Sequence, residues 1–148
     1  MNAIVSHGIE LIAVDSGVAY AASQSFEPGD CVTGFSGPIT TELGLHTLQI
    51  EPGLHMELGH SVGLLAHGCS PNCVLDMHGR ELLAIRSIAI GDLLTIDYTQ
   101  TEDQLYRQFR CACGAVNCRG WIAGRRECHD PAKAFDPRRL AENNRGGW

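Results

Sequence analysis

At 148 residues with seven cysteines and a formal net charge of −6, the chain has room for one compact domain with a core and little room for two. A composition of 44% hydrophobic and 19% charged residues excludes a disordered chain, and no apolar run approaches the length that spans a bilayer. The N-terminus lacks the basic start and apolar stretch of a secretory signal, and an odd number of cysteines without one predicts a reducing compartment, by default the cytoplasm.

Short strands dominate the pattern. Ile9-Glu10-Leu11-Ile12-Ala13-Val14 and Val18-Ala19-Tyr20-Ala21-Ala22 are β-forming and separated by the turn Asp15-Ser16-Gly17. Glu27-Pro28-Gly29-Asp30 turns the chain into Cys31-Val32-Thr33-Gly34-Phe35. Residues 36–61 carry few regular signals beyond a strand at Thr47-Leu48-Gln49-Ile50, ended by Glu51-Pro52-Gly53. His46, His55 and His60 lie around it without metal-ligand spacing and are expected at the surface or in ordinary hydrogen bonds.

Further on, Val74 to Glu81 reads as a hairpin turning at His78-Gly79, with Leu82 to Arg86 as the return strand. Leu93-Leu94-Thr95-Ile96-Asp97-Tyr98 reads as a buried strand ending in an aromatic hydroxyl. A helix is predicted only over Thr101 to Gln108, where Glu102 and Asp103 favour a helix start. Many short strands at this spacing predict a mainly β assembly and argue against βαβ units. From Arg125 to Trp148 the composition turns to Arg, Asp, Pro, Asn and Gly, as in a loosely ordered basic tail.

Charge is divided unevenly. Residues 1–103 hold two basic and thirteen acidic side chains, a net of −11, and residues 104–148 hold nine basic and four acidic, a net of +5. Such a body would steer a cationic substrate such as a basic peptide and repel nucleic-acid phosphates. An acidic solvated surface with a basic tail against it accounts for the same counts.

Cys111-Ala112-Cys113 and Cys118 place three thiols within eight residues. A structural zinc takes four tetrahedral ligands and favours thiolates, so a fourth must come from elsewhere. Cys69, on the turn-like Gly68-Cys69-Ser70-Pro71-Asn72, is the candidate. Buried thiols and disulfides are the alternatives, but cysteines one residue apart bridge each other poorly. Cys128-His129 supplies only two ligands and makes no site.

Three segments together resemble one family. Ala66-His67-Gly68-Cys69-Ser70-Pro71-Asn72 resembles the Asn-His-Ser-Cys-x-Pro-Asn signature of SET-domain protein lysine methyltransferases. Gly91-Asp92-Leu93-Leu94-Thr95-Ile96-Asp97-Tyr98 is similar to its Gly-Glu-Glu-Leu-Thr-x-Asp-Tyr segment, and Phe109 to Gly120 to its post-SET zinc motif. The resemblance covers about Asp15 to Trp121. It implies a β-clip SET fold of several small sheets over residues 1–103, a post-SET zinc-binding segment over 104–124 with Cys69, Cys111, Cys113 and Cys118 as ligands, and a tail over 125–148.

It also implies S-adenosylmethionine as cofactor, approached by Gly17, Val18, Ala66, His67, Phe109 and Trp121, and a lysine amine of a protein or basic peptide as acceptor, with no direct nucleic-acid or membrane partner. Tyr98 is implied as the catalytic tyrosine that orients the amine, with Tyr20 and Phe35 as further walls of its channel. A lysine amine titrates near ~10.4, so desolvation and the sulfonium charge must lower it. Asn72 is expected to pin the signature loop. Ala66 stands where the family has asparagine, Gly68 where it has serine, and Ile96 where it often has an aromatic. Two other readings remain: a degenerate SET fold that binds a partner without turnover, and a cofactor-using enzyme whose substrate is a small-molecule amine. The location implied is the cytoplasm, or the nucleus in a eukaryote.

Overall fold

The computed structural model describes residues 8–14, 17–59 and 62–134. In chain order its strands are β1 (Ile9–Val14), β2 (Gly17–Ala22), β3 (Cys31–Gly34), β4 (Ile39–Thr40), β5 (Thr47–Glu51), β6 (Leu54–Glu57), β7 (Ala66–His67), β8 (Cys73–Asp76), β9 (Glu81–Ala84), β10 (Thr95–Ile96), β11 (Phe109–Arg110) and β12 (Trp121–Ile122). They form five small sheets, β1-β2, β3-β9-β8, β4-β6-β5, β7-β10 and β11-β12. Among the described residues helix occurs only as 3-10 turns, at Val62–Leu64, Tyr98–Gln100 and Pro131–Lys133.

Local sequence accounts for the hairpins. β1 and β2 pair antiparallel from Ile9↔Ala22 to Val14↔Gly17. At the β8–β9 turn the Asp76 carboxylate accepts the amides of His78 and Gly79, at 3.0 and 2.9 Å, which closes the hairpin where the sequence places it. Residues 36–61 hold more order than their sequence signals: β6 is the central strand between β4 and β5, and Gly53, at φ 80, takes the turn between β5 and β6.

Among the strands of the described residues, one pairing is parallel. β10 lies beside β7 with Thr95 opposite Ala66 and Ile96 opposite His67. The strand predicted over 93–98 is reduced to these two residues, because Leu93 bridges Ala21 and the chain enters a 3-10 turn at Tyr98.

The main core gathers Tyr20, Phe26, Met56, Leu65, Leu82, Leu94 and Ile96 with their neighbours. Tyr20 and Phe35, expected as channel walls, are core side chains at 2% and 8% exposure. A second cluster holds Cys69, Leu105 and Ile122, with Phe109, Cys111 and Cys118 against it. Tyr98 packs against both clusters.

The helix predicted over 101–108 does not form. Its backbone groups are taken by distant side chains: the Asp103 amide donates to Gln49 Oε1 at 2.8 Å and the Leu105 amide to Glu127 Oε1 at 3.0 Å. The buried Glu102 carboxylate accepts the Gln49 amide at 2.8 Å. These tertiary bonds replace the i−4 ladder a helix needs.

Residues 125–134, expected as part of a loose tail, are tied to the body. The Arg125 guanidinium pairs with Asp103 and donates to the Gln100 and Thr101 carbonyls, and Lys133 pairs with Glu127. The rest of that expected tail, 135–148, lies outside the described residues, as do Asp15, Ser16 and His60.

Of the other histidines, His46 sits 3.3 Å from the Gly63 carbonyl. His55 departs from expectation: it is 8% exposed on β6, with a buried Nδ1 that finds no hydrogen-bond partner among the described residues.

Candidate functional site

Cys69, Cys111, Cys113 and Cys118 converge, with all four sulfurs within 4.8 Å of one another. Cys69 and Cys111 are 3.9 Å apart, close to the ~3.8 Å edge of a tetrahedron with metal–sulfur bonds of ~2.3 Å and far beyond a disulfide bond. All seven cysteines are free thiols. The donor set fits a closed, structural zinc site, and it is the one such group among the described residues. Cys128 stands apart from it and is exposed.

The thiols differ electrostatically. Hydrogen bonds from the backbone at Cys69 and Ala115 bring Cys113 down to about 6, whereas burial pushes Cys111 up to about 12. Surrounding groups fix the knuckle. The Asn117 side chain donates to the Cys69 carbonyl at 3.3 Å, Ser70 donates to Asn117 at 2.7 Å, and the Arg119 amide donates to Cys69 Sγ at 3.4 Å.

Two residues before Cys69, His67 enters an aromatic trio. Its ring meets Tyr98 edge-on at 5.1 Å and Phe109 at 5.6 Å, and Tyr98 meets Phe109 at 5.8 Å. Burial pulls His67 down to about 4 against the opposing Asp97 carboxylate, which leaves a neutral imidazole.

The Tyr98 hydroxyl donates to the Leu65 carbonyl at 2.6 Å, and burial pushes the phenol up to about 12. Its 3-10 turn is capped by Asp97, which accepts the Thr99 amide at 3.0 Å. Asp97 is paired with Arg119 at 2.9 Å. Burial would raise this carboxyl, but bonds from Arg119 and Thr99 hold it below the usual range. Sequence reasoning missed the Asp97–Arg119 pair, because nothing local connects position 97 to the loop after Cys118.

The signature loop is pinned by Asn72, as expected. Its Oδ1 accepts the Thr95 amide at 2.9 Å, and its Nδ2 donates to the Leu93 carbonyl at 2.9 Å. Gly68 packs against Thr95: a Cβ there would meet the threonine Cβ at 3.1 Å, so a serine would need Thr95 to shift. Ala66 is half-buried beside Thr95.

Gly17 opens β2 at φ 138, a backbone conformation that disfavours any side chain and permits close approach to the main chain. Val18 beside it is 43% exposed. The Leu94 amide donates to the Tyr20 carbonyl at 2.9 Å, so β2 runs antiparallel beside the segment leading into β10. Gly17 and Val18 therefore lie toward the Tyr98 end of that segment.

Trp121 does not join the trio. It pairs with Arg110 on the β11–β12 ribbon, while Phe109 pairs with Ile122, and paired residues share a face. Its indole instead donates to Gln108 Oε1 at 2.8 Å and stacks on His129 at 4.5 Å. Gln108, fully buried and overlooked in the sequence, also accepts the Asp130 amide and donates to the Cys128 carbonyl.

No family model matches the chain. Over 80 residues it is 39% identical to the methyltransferase flvH of Aspergillus flavus, a match that covers 53% of this chain and 45% of that protein. Over 75 residues it is 35% identical to the histone-lysine N-methyltransferase ASHR3 of Arabidopsis thaliana, covering 47% of this chain and 15% of that one. The crystal structure of KRYPTONITE in complex with mCHG DNA and SAH superposes on 76% of the chain with a TM-score of 0.62 at 25% identity, over 28% of its own length. A second KRYPTONITE complex, with mCHH DNA, H3(1-15) peptide and SAH, gives 0.61 at 24% identity. These matches span less than half the length of each of these proteins.

Proposed function

We propose that this chain, which has the SET-domain fold and is related in sequence to the histone-lysine methyltransferases, transfers a methyl group from S-adenosylmethionine to a lysine amine of a protein or peptide. The observation that carries this reading is Tyr98: a protonated hydroxyl fixed on a main-chain carbonyl, inside an aromatic trio, at the seam between the SET core and the cysteine knuckle.

When bound, the cofactor supplies an electrophilic methyl on a sulfonium. The residues proposed to hold it are Gly17 and Val18, Ala66 and His67 on β7, and Phe109. Trp121 is proposed only as a more distant contact, since its ring is committed to Gln108 and His129. The electron-rich ring faces of Tyr98 and Phe109 suit a cationic centre. The Tyr98 hydroxyl oxygen and the Leu65 carbonyl supply two acceptors that can orient the N–H groups of an incoming amine and leave its lone pair free, and the half-buried rings limit water and favour its neutral form. Zinc on the four thiols would be structural, because four protein ligands leave no position for a reactive water.

A peptide substrate is supported by the H3 peptide in one KRYPTONITE complex and by the net charge of −11 over residues 1–103. The same charge disfavours phosphate binding by that body; the DNA in those complexes belongs to a protein of which the matched region is only 28%. The proposed location is the cytoplasm, or the nucleus in a eukaryote. Ala66 favours a second reading, a SET fold that binds a partner without turnover, because a carboxamide contact worth ~1–3 kcal/mol would be missing there.

Calorimetric titration of the zinc-loaded protein with S-adenosylmethionine, wild type against Ala66→Asn, tests the choice. Binding by the wild type, followed by methyl transfer to lysine peptides, is the expected result. Binding only by Ala66→Asn would give the second reading the field, and silence from both would overturn the enzyme. Transfer to free amines but not to peptides would move the acceptor to a small molecule.

A further inference from the structure

The His67 side chain makes two directed contacts that neither methyl transfer nor metal binding by itself requires. On one side the Tyr98 amide donates to Nδ1 at 3.1 Å. A backbone N–H can only donate, so Nδ1 must present its lone pair and carry no proton. A neutral imidazole has one N–H, which is therefore on Nε2. That nitrogen lies 3.6 Å from Cys69 Sγ, so the ring donates to the sulfur. The Asp97 carboxylate is 3.9 Å from Nδ1, but with Nδ1 already accepting, this proximity is not an ion pair.

From this geometry we infer that His67 is a positioning residue that couples the four-cysteine centre to Tyr98. Cys69 receives two N–H donors, His67 Nε2 and the Arg119 amide, as suits a metal-bound thiolate carrying excess negative charge. The imidazole side chain is 3% exposed, and Tyr98 and Phe109 fix its plane from two directions, so water cannot readily take either role. A second path leads from the same sulfur to the same turn: Arg119 also holds Asp97, the cap of the turn that carries Tyr98. With metal bound, the thiolate stays an acceptor and the Nε2–H tautomer is held, which keeps the Nδ1 lone pair on the Tyr98 amide. Without metal, the Cys69 sulfur is no longer tied to the other three, and the Nε2 end of the ring loses its fixed partner, which loosens the constraint on Tyr98. This inference rests on reading the cluster as a zinc site and Tyr98 as the catalytic tyrosine, but its test requires no turnover.

Nitrogen-15 NMR of the histidine-labelled, zinc-loaded full chain reads the tautomer directly, with His67 assigned by its loss in His67→Gln. The expected signal is a neutral Nε2–H ring, with scalar coupling to cadmium-113 when that ion replaces zinc. Two variants separate the coupling from packing. His67→Phe keeps a ring between Tyr98 and Phe109 but removes both bonds, and should lose zinc to a chelator about ten- to a hundredfold more readily, with faster amide exchange at Tyr98. His67→Gln, whose carboxamide can both accept and donate, should recover much of both properties. If turnover is measurable, His67→Phe should lower kcat more than it changes KM. An Nδ1–H tautomer in the wild type would overturn the inference, as would zinc retention and Tyr98 exchange unchanged in His67→Phe. Should His67→Phe fail to fold, the wild-type tautomer and cadmium coupling decide alone. Failure to bind S-adenosylmethionine would remove the proposed enzyme and leave these readouts standing.

Discussion

Tyr98 concentrates the residue-scale chemistry. Its hydroxyl, amide and ring are each engaged, by the Leu65 carbonyl, by His67 Nδ1 and by Phe109, so few conformations remain open to it. Replacing it with phenylalanine removes the bond to Leu65 while the ring packing can persist. Tyr98→Phe should therefore stay folded, at a cost of ~1 kcal/mol in chemical denaturation, and on the proposed methyl transfer it should lose about a hundredfold or more in kcat. The pH dependence follows from the phenol being pushed up to about 12. A raised acid keeps its proton longer, so the hydroxyl remains a donor across the whole range in which a lysine amine, near ~10.4, deprotonates. The pH profile of kcat/KM should rise with a single proton loss that tracks the substrate amine. A descending limb that vanished in Tyr98→Phe would show that the phenol ionises earlier than its burial dictates.

At the scale of elements, the site is a meeting of very short strands, none of which could hold a functional group alone. β7 and β10 are two residues each; their pairing is secured from outside by the Asn72–Thr95 bonds. The β11–β12 ribbon is equally short and is held by Gln108, whose side chain satisfies the Trp121 indole, the Asp130 amide and the Cys128 carbonyl together. Gln108→Ala would leave two donors and an acceptor without partners at a fully buried position. Each such group costs ~1–3 kcal/mol, so a drop of at least that size in unfolding free energy is expected. Faster amide exchange in residues 121–130 should accompany it, with β8 and β9 unaffected. The absent helix at 101–108 belongs to this scale too: Glu102 and Asp103 favour a helix start only while Gln49 is out of the account.

At the scale of the whole molecule, the described residues form two apolar clusters that share Tyr98. The larger is closed by hairpins and side chains. The smaller, around Leu105 and Ile122, is bounded by three of the cysteines that would hold zinc, and too few buried residues lie in it to stand unaided. Chelation should therefore open the molecule in two steps. Hydrogen exchange after metal removal is expected to lose protection over residues 105–130 first and to keep it in β5, β6, β8 and β9. Simultaneous loss in both regions would mean that the larger core also depends on the metal.

The sequence by itself determined whatever depends on neighbours in the chain. Alternating apolar residues and Gly-, Pro- and Asp-rich turns located the β1–β2 and β8–β9 hairpins, because strand pleat and turn geometry are local properties. The density of Cys111, Cys113 and Cys118 and the turn around Cys69 pointed to one tetrahedral donor set, because ligand chemistry is written in residue type and spacing. Three ordered motifs carried the likeness to SET-domain proteins. Only the tertiary structure decided which distant groups meet. It turned Trp121 away from the His67–Tyr98–Phe109 trio and onto Gln108 and His129, withheld the helix at 101–108 by spending its amides on Gln49 and Glu127, and drew residues 125–134 onto Asp103. It placed His67 between a thiol and the Tyr98 amide and Arg119 on Asp97. Such contacts join positions tens of residues apart, where the satisfaction of buried donors and acceptors, which no local pattern records, selects the partner.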